Sequence, residues 1–385
     1  MSDIWVTVVE GTTDLGHRMA NAATSYRFAR AAENRNNRHG ACYGHVSAAF
    51  WMRSELHEAL PHPTSHDPDR TRVAGIGSVA IAMNRVAVFG GTGLLGRAVV
   101  HQLVAAGVTA RVAVRHPEPI KLSEGTPRAE HVSSVYADVA DEKSVGRALE
   151  GCTAAVNVVG LYVERGTDTF TTIHELGAMH VAQQSARAGV KSLVHMSGIG
   201  ADLNSQSSYV RSRARGELLV REAFPVATIL RPSVLFGPDD KFLNTLITIV
   251  RRSPVLALFG TGNTRLQPVY VGDVAQAVLR VLTTPSSQGK VHELGGPQIY
   301  RYRDLIKLVL KETDRSRILV PLPFFIWDTL ARLLILLPDP PLTTDVVTLM
   351  RQDNVVGAGV PTFADLGLAP TSVKAVLPVM LGSRS

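Results

Sequence analysis

Short apolar runs and amphipathic stretches alternate along the middle of the chain. From Met83 onward, Val86–Phe89, Ala110–Val114, Ser134–Tyr136, Ala154–Val159, Ser192–Met196, Ala227–Leu230 and Gln267–Tyr270 have the length and composition of buried strands. Helical spacing falls between them, including Asp141–Leu149, Phe170–Ala188 and Ser207–Ala223. Strands of this kind separated by helices predict a doubly wound parallel sheet covered on both faces. Beyond about Pro238 the alternation becomes irregular, which predicts a smaller C-terminal region on the substrate side. The expected organisation is a core over 83–237 and a region over 238–385 interleaved with it.

Residues 1–82 carry no such pattern. They hold six of the thirteen histidines, with many Asn, Arg and Ser, and predict a mostly disordered extension. Met83 stands just before the first good strand and is a candidate start of translation.

The chemistry begins at Gly90-Gly91-Thr92-Gly93-Leu94-Leu95-Gly96, between the first strand and a helical stretch starting near Arg97. Strand, glycine turn and helix is the context that a dinucleotide pyrophosphate requires, because glycines bring phosphate close to backbone amides at a helix N-terminus. The sheet therefore reads as Rossmann-type α/β. The second strand ends in Arg115 rather than a carboxylate, which favours a 2′-phosphate, and so NADP(H), over NAD(H). Asp138, after the third strand, suits the adenine amino group or a helix cap. Asn157-Val158-Val159-Gly160 ends the fourth, which puts Val159 and Gly160 at the nicotinamide half.

Net charge is +7 with a pI near 9.6, but no basic run interleaved with aromatics occurs, so nucleic acid is not an expected partner. Cys42 and Cys152 lack metal-ligand or disulfide-framework spacing, and no metal site is expected. No secretory signal and no apolar run long enough to span a bilayer is visible. The nearest approach, 322–337, is interrupted by Asp328 and Arg332.

The GxxGxxG spacing of Gly90, Gly93 and Gly96, the strand end at Ser197 and the segment Tyr209-Val210-Arg211-Ser212-Arg213 resemble the extended and atypical short-chain dehydrogenase/reductase superfamily, with its NAD-dependent epimerases and dehydratases. That resemblance implies catalytic roles for Ser197, Tyr209 and the residue at 213, where members carry Lys. The Ser would hold the substrate oxygen and the Tyr exchange its proton. The Lys would bind the nicotinamide ribose and lower the tyrosine pKa. Arg213 departs from the pattern: it keeps the charge and can bond ribose but does not readily relay a proton. Leu230–Pro238, with Pro232, resembles the loop that closes over nicotinamide. Asp273, in Val271-Gly272-Asp273-Val274-Ala275, is expected to cap the helix that follows.

The segments 349–356 and 361–371 narrow the resemblance to the NADPH-binding accessory subunit of respiratory complex I and its bacterial relatives. This implies a cofactor held structurally with little turnover. It also implies complex I subunits or a membrane surface as partners through 322–337. The alternative is an NADP-dependent reductase, epimerase or dehydratase. Asp3, Glu10 and Asp14 are unlike an acid-poor transit peptide, so the expected location is peripheral, on the cytoplasmic face of a bacterial inner membrane, or on the matrix side of a mitochondrion.

Overall fold

The computed structural model describes residues 84–117, 131–335, 337, 340 and 342–382. The extension 1–82 and Met83 lie outside the described residues.

The first half alternates β1 (Arg85–Phe89), α1 (Leu94–Ala105), β2 (Thr109–Val114), β3 (Val132–Tyr136), α2 (Glu142–Leu149), β4 (Ala154–Asn157), α3 (Gly177–Arg187), β5 (Ser192–Met196), α4 (Ser208–Ala223) and β6 (Thr228–Pro232). Beyond these come β7 (Leu235–Phe236), α5 (Phe242–Arg252), β8 (Val255–Phe259), β9 (Arg265–Leu266), β10 (Val269–Tyr270), α6 (Val271–Thr283) and β11 (Val291–Leu294). The chain continues through β12 (Tyr300–Arg301), α7 (Tyr302–Glu312), β13 (Ile318–Leu322), α8 (Phe324–Leu334), α9 (Thr344–Leu349) and α10 (Val373–Gly382).

Seven strands form one parallel sheet in the order β11-β6-β5-β4-β1-β2-β3. Its central strands are apolar on both faces because both are covered. One face packs Val86, Val88, Val112 and Val156 against α1 and α6, and the other packs Ala87, Phe89, Ala155 and Leu193 against α2, α3 and α4. Chain order reverses between β1 and β4, so a crevice opens at the C-terminal ends of those two strands. Helix starts are fixed locally: Asp141 caps α2 through Lys143 N–H, and Ser207 caps α4 through Val210 N–H.

The C-terminal region has its own apolar core, built from α5, α7, α8 and α10, with Trp327 and Tyr302 fully buried. The chain between 238 and 295 also returns α6 to a face of the main sheet and β11 to its edge. In α8, Trp327 turns inward and donates from Nε1 to the Leu258 carbonyl at 3.1 Å. The outward face leaves Phe325 68%, Leu333 62% and, just beyond the helix, Ile335 58% exposed. Among the described residues no helix is long and apolar enough to cross a membrane.

Several expected elements differ. Gln267–Tyr270 is not a strand of the large sheet. Only Val269 and Tyr270 pair, with Leu235 and Phe236, because Gln267 N–H is taken by the Asn354 carbonyl. The seventh strand is β11, whose His292 and Glu293 hid it from an apolar search. The fourth strand stops at Asn157, whose Oδ1 accepts from Val159 N–H at 3.1 Å and bends the chain. The helix expected over 170–188 opens with a π-helical turn, Thr171–Leu176. Asp273 is not a cap: Tyr270 holds that position, and the Asp273 carboxylate accepts from the N–H and Oγ1 of Thr371.

Candidate dinucleotide site

The glycine loop spans the end of β1 and the start of α1. Gly90 has φ +80°, a left-handed conformation that favours glycine, and a Cβ there would lie 3.0 Å from Val159 N. A Cβ at Gly96 would run into the Gly90 carbonyl, so only glycine allows α1 to pack this close to the turn. Thr92 and Gly93 are exposed, Leu94 is half-buried and Leu95 fills the core beneath. Gly93, at the N-cap, offers no side-chain acceptor and the first turn carries no acid. The first-turn amides of α1 therefore face the crevice with the positive end of the helix dipole behind them, which fits a pyrophosphate. Arg97 flanks the loop, donating to the Thr92 carbonyl at 2.9 Å and pairing with Asp239 at 3.2 Å.

At the end expected for the adenosine, Arg115 is exposed after β2 and pairs with Asp168 at 2.8 Å. Its pKa is raised, first by the hydrogen bond to Asp168, with the charge of Asp138 adding to it. Asp138, after β3, accepts from Ala140 N–H at 2.9 Å in a tight turn, while Asp141 does the helix capping.

At the other end, Val159 and Gly160 follow β4, Ser197 follows β5 and Pro232 ends β6. Ser197 N–H donates to the Leu230 carbonyl at 2.8 Å and Ile199 N–H to the Pro232 carbonyl at 3.1 Å, which fixes both strand ends. Tyr209 and Arg213 lie one turn apart on α4. The Arg213 guanidinium is buried, donates from Nη1 to the Met196 carbonyl at 3.0 Å and stands 5.4 Å from the Tyr209 ring centroid. A Cβ at Gly160 would collide with its Nη2. Among the described residues, Ser197 Oγ and Arg213 Nε are buried with no hydrogen-bond partner. Two orphaned polar groups at this end fit the hydroxyls of a ribose or a carbonyl oxygen.

The structure adds residues the sequence did not single out. The π turn carries buried His174 against α4, touching it at Gly216, where a Cβ would strike the His174 carbonyl. His174 Nε2 accepts from Leu161 N–H at 2.9 Å, so Nδ1 bears the proton and donates to Ser212 Oγ, 2.9 Å away. Ser212 Oγ passes the chain to the Tyr209 carbonyl at 2.8 Å. His174 also meets the Tyr209 ring edge-on at 5.4 Å, and Tyr162 stacks on that ring at 5.6 Å. Burial, and then the Arg213 charge, hold His174 neutral with a pKa of about 2 and His195 with one of about 3. His195 Nδ1 lies 3.4 Å from Asn157 Nδ2, the amide whose oxygen shapes the Val159 turn. Asp345 of α9 accepts from Ser207 Oγ at 2.6 Å, bracing the start of α4 from the C-terminal region. None of these pairings has a fixed sequence spacing, and only the inward placement of His174 on a helical stretch signals it. Among the described residues no cluster of His, Cys, Asp or Glu forms a metal site.

Residues 86–295 match the NAD dependent epimerase/dehydratase family. The chain is 30% identical over 359 residues to the mitochondrial NADH dehydrogenase (ubiquinone) 1 alpha subcomplex subunit 9 of Mus musculus, covering 92% of this chain and 91% of that one. It is 32% identical over 200 residues to the ceramide reductase of Caulobacter vibrioides, covering 52% of this chain and 61% of that one. Among solved structures, the Citrobacter sp. triphenylmethane reductase complexed with NADP(H) superposes with a TM-score of 0.63 at 19% identity, covering 77% of this chain and 99% of that one. At that identity the likeness is one of fold.

Proposed function

The chain belongs to the NAD dependent epimerase/dehydratase family, and from that premise we propose that it is an NADP(H)-binding accessory or assembly subunit of NADH:ubiquinone oxidoreductase. The name of the mouse relative, matched along nearly its whole length, supports the assembly. The observation that carries the structural role of the cofactor is Arg213. Its guanidinium is buried and committed to the Met196 carbonyl, in the place where related enzymes use lysine. Held there, it supplies positive charge beside a ribose, and an arginine does not readily relay a proton to Tyr209.

In this reading the Gly90–Gly96 loop cradles the pyrophosphate on the α1 amides. Arg115 reads the adenosine 2′-phosphate, so NADP(H) is preferred to NAD(H), and Asp138 contacts the adenine amino group. Val159, Gly160 and Pro232 line the nicotinamide end, and Ser197, Tyr209 and Arg213 surround it. Bound there, a nicotinamide would supply hydride chemistry. The chain's own residues orient it, through Ser197 Oγ and Arg213, and the His174–Ser212 relay fixes Tyr209 by its carbonyl. The exposed apolar face of α8, with Ile335 and Leu337 beyond it, lies against a membrane surface or neighbouring complex I subunits. The location is peripheral to the membrane, on the cytoplasmic face of a bacterial inner membrane or the matrix side of a mitochondrial one.

Purification of the full chain from membranes in mild detergent tests this reading. Nucleotide released on denaturation is NADP(H), and respiratory-complex subunits co-purify. A protein found alone in the soluble fraction, without nucleotide, would overturn it.

A second reading, an NADP-dependent reductase, is favoured by the buried, unpartnered Ser197 Oγ and by the likeness to a ceramide reductase. NADPH oxidation by a carbonyl substrate that disappears in Tyr209→Phe would establish it in place of the first.

A further inference from the structure

Arg115 does not wait free at the adenosine end of the crevice. Its Nη1 is 2.8 Å from Asp168 Oδ2, and Asp138 adds its charge from the neighbouring strand end. The cation thus feels two carboxylates, and it is hydrogen-bonded to Asp168.

Asp168 is held in place by its backbone rather than by this ion pair. Its N–H and carbonyl both pair with Arg165 at 2.9 Å, across a turn in which Gly166 adopts φ +56°. Immediately after it, Thr169 and Thr172 exchange side-chain and backbone hydrogen bonds, with Thr169 N–H to Thr172 Oγ1 at 2.8 Å and Thr172 N–H to Thr169 Oγ1 at 3.0 Å. They anchor the turn to the π-helical segment that carries His174. The carboxylate is therefore presented to Arg115 from a fixed frame, while the arginine side chain is the longer and more adaptable partner.

We propose that Asp168 sets the choice between the two dinucleotides by competing with the 2′-phosphate for Arg115. The inference rests on the reading of Arg115 as the 2′-phosphate residue. A 2′-phosphate brings further negative charge to the site and must draw the guanidinium away from Asp168. A 2′-hydroxyl brings a donor, which a carboxylate accepts. Asp168 thereby lowers the preference for NADP(H) below what an unopposed arginine would give, and admits NAD(H) as a second ligand.

Dissociation constants for NADPH and NADH, measured by calorimetry on the full chain, test this with Asp168→Asn, Arg115→Ala and the double variant. Asp168→Asn is expected to raise the NADPH-over-NADH preference about tenfold, mainly by tightening NADPH. In the Arg115→Ala background most of that gain disappears. If Arg115→Ala reduces the preference while Asp168→Asn leaves it within about twofold, the role of Asp168 is overturned and that of Arg115 stands. If the wild-type chain binds neither dinucleotide, or Arg115→Ala leaves the preference unchanged, the underlying reading falls and the inference with it.

Discussion

The Arg213 guanidinium lies against the backbone of Gly160, so closely that a Cβ on Gly160 would collide with Nη2. The two residues come from the loop after β4 and the middle of α4, and each restricts the other. With the guanidinium in this position, a side chain at 160 would force it to shift, and the glycine leaves room for it.

Gly160→Ala is therefore expected to displace the guanidinium from the Met196 carbonyl and to cost about 1–3 kcal/mol of stability. Combining it with Arg213→Lys, whose thinner head group clears the added methyl, restores most of that loss. Urea denaturation of the four proteins measures the coupling, and strictly additive losses would contradict it.

Tyr209→Phe removes a hydroxyl but leaves the ring packed on Tyr162 and His174. If the cofactor is held structurally, bound NADPH after purification stays within about twofold of wild type. Loss of the nucleotide would show that the phenol is part of the binding site.

Arg231 bridges two buried carboxylates. It makes a paired contact with Glu217 at 2.9 and 2.7 Å and reaches Glu293 at 3.4 Å. Arg231→Met leaves both acids buried with no cation, and is expected to cost about 3 kcal/mol or more, seen as a large fall in the urea midpoint. A neutral outcome would mean that the acids take up protons or water at little cost.

His174 and His195 are neutral in the fold, with pKa values of about 2 and about 3, whereas in the unfolded chain both titrate near 6.5. Between those limits the unfolded state binds protons that the folded state refuses. The stability they permit is complete above about pH 6.5 and falls as the pH drops toward 3, by up to about 2.7 kcal/mol per pH unit for the pair. Urea midpoints at pH 7 and pH 5 should differ accordingly, and His174→Asn should roughly halve the slope. A profile unchanged by that substitution would show that other groups govern the acid limb.

Phe325 and Leu333 are exposed on one side of α8 while Trp327 anchors the other. Phe325→Glu with Leu333→Glu is expected to reduce co-sedimentation with anionic lipid vesicles at least tenfold without altering the thermal midpoint. Undiminished vesicle binding would remove α8 from the membrane contact.

The parts of this fold that the sequence revealed are those whose neighbours are uniform. A strand such as β1 is buried on both faces from Val86 to Phe89, so every one of those positions is subject to the same demand and an apolar run records it. The glycine loop was equally legible, because backbone geometry at Gly90 and Gly96 admits little else. β11 was missed because Glu293 is a strand residue whose charge is answered by Arg231 and by Gly357 N–H at 2.8 Å, partners far away along the chain. The π turn was missed because it inserts into an ordinary helical pattern, and the contact at Gly216 that accompanies it belongs to another helix. Arg115 was singled out by its place after the second strand, yet its partner Asp168 lies 53 residues on and could be found only by folding the chain.

The late segment that crosses the core has a consequence for how the protein is made. Asn354 accepts from Ser233 Oγ at 2.6 Å and from Val234 N–H at 3.0 Å, Gly357 N–H serves Glu293, and Thr371 serves Asp273. A ribosome has translated β1 to β11 well before any of these partners emerges. The nascent sheet must wait with Asp273 unanswered, Glu293 held by Arg231 alone, and its outer edge open. The sheet is thus completed only after residues 354–371 have been made, which gives chaperones a defined interval in which to hold the chain and proteases a defined interval in which to remove it.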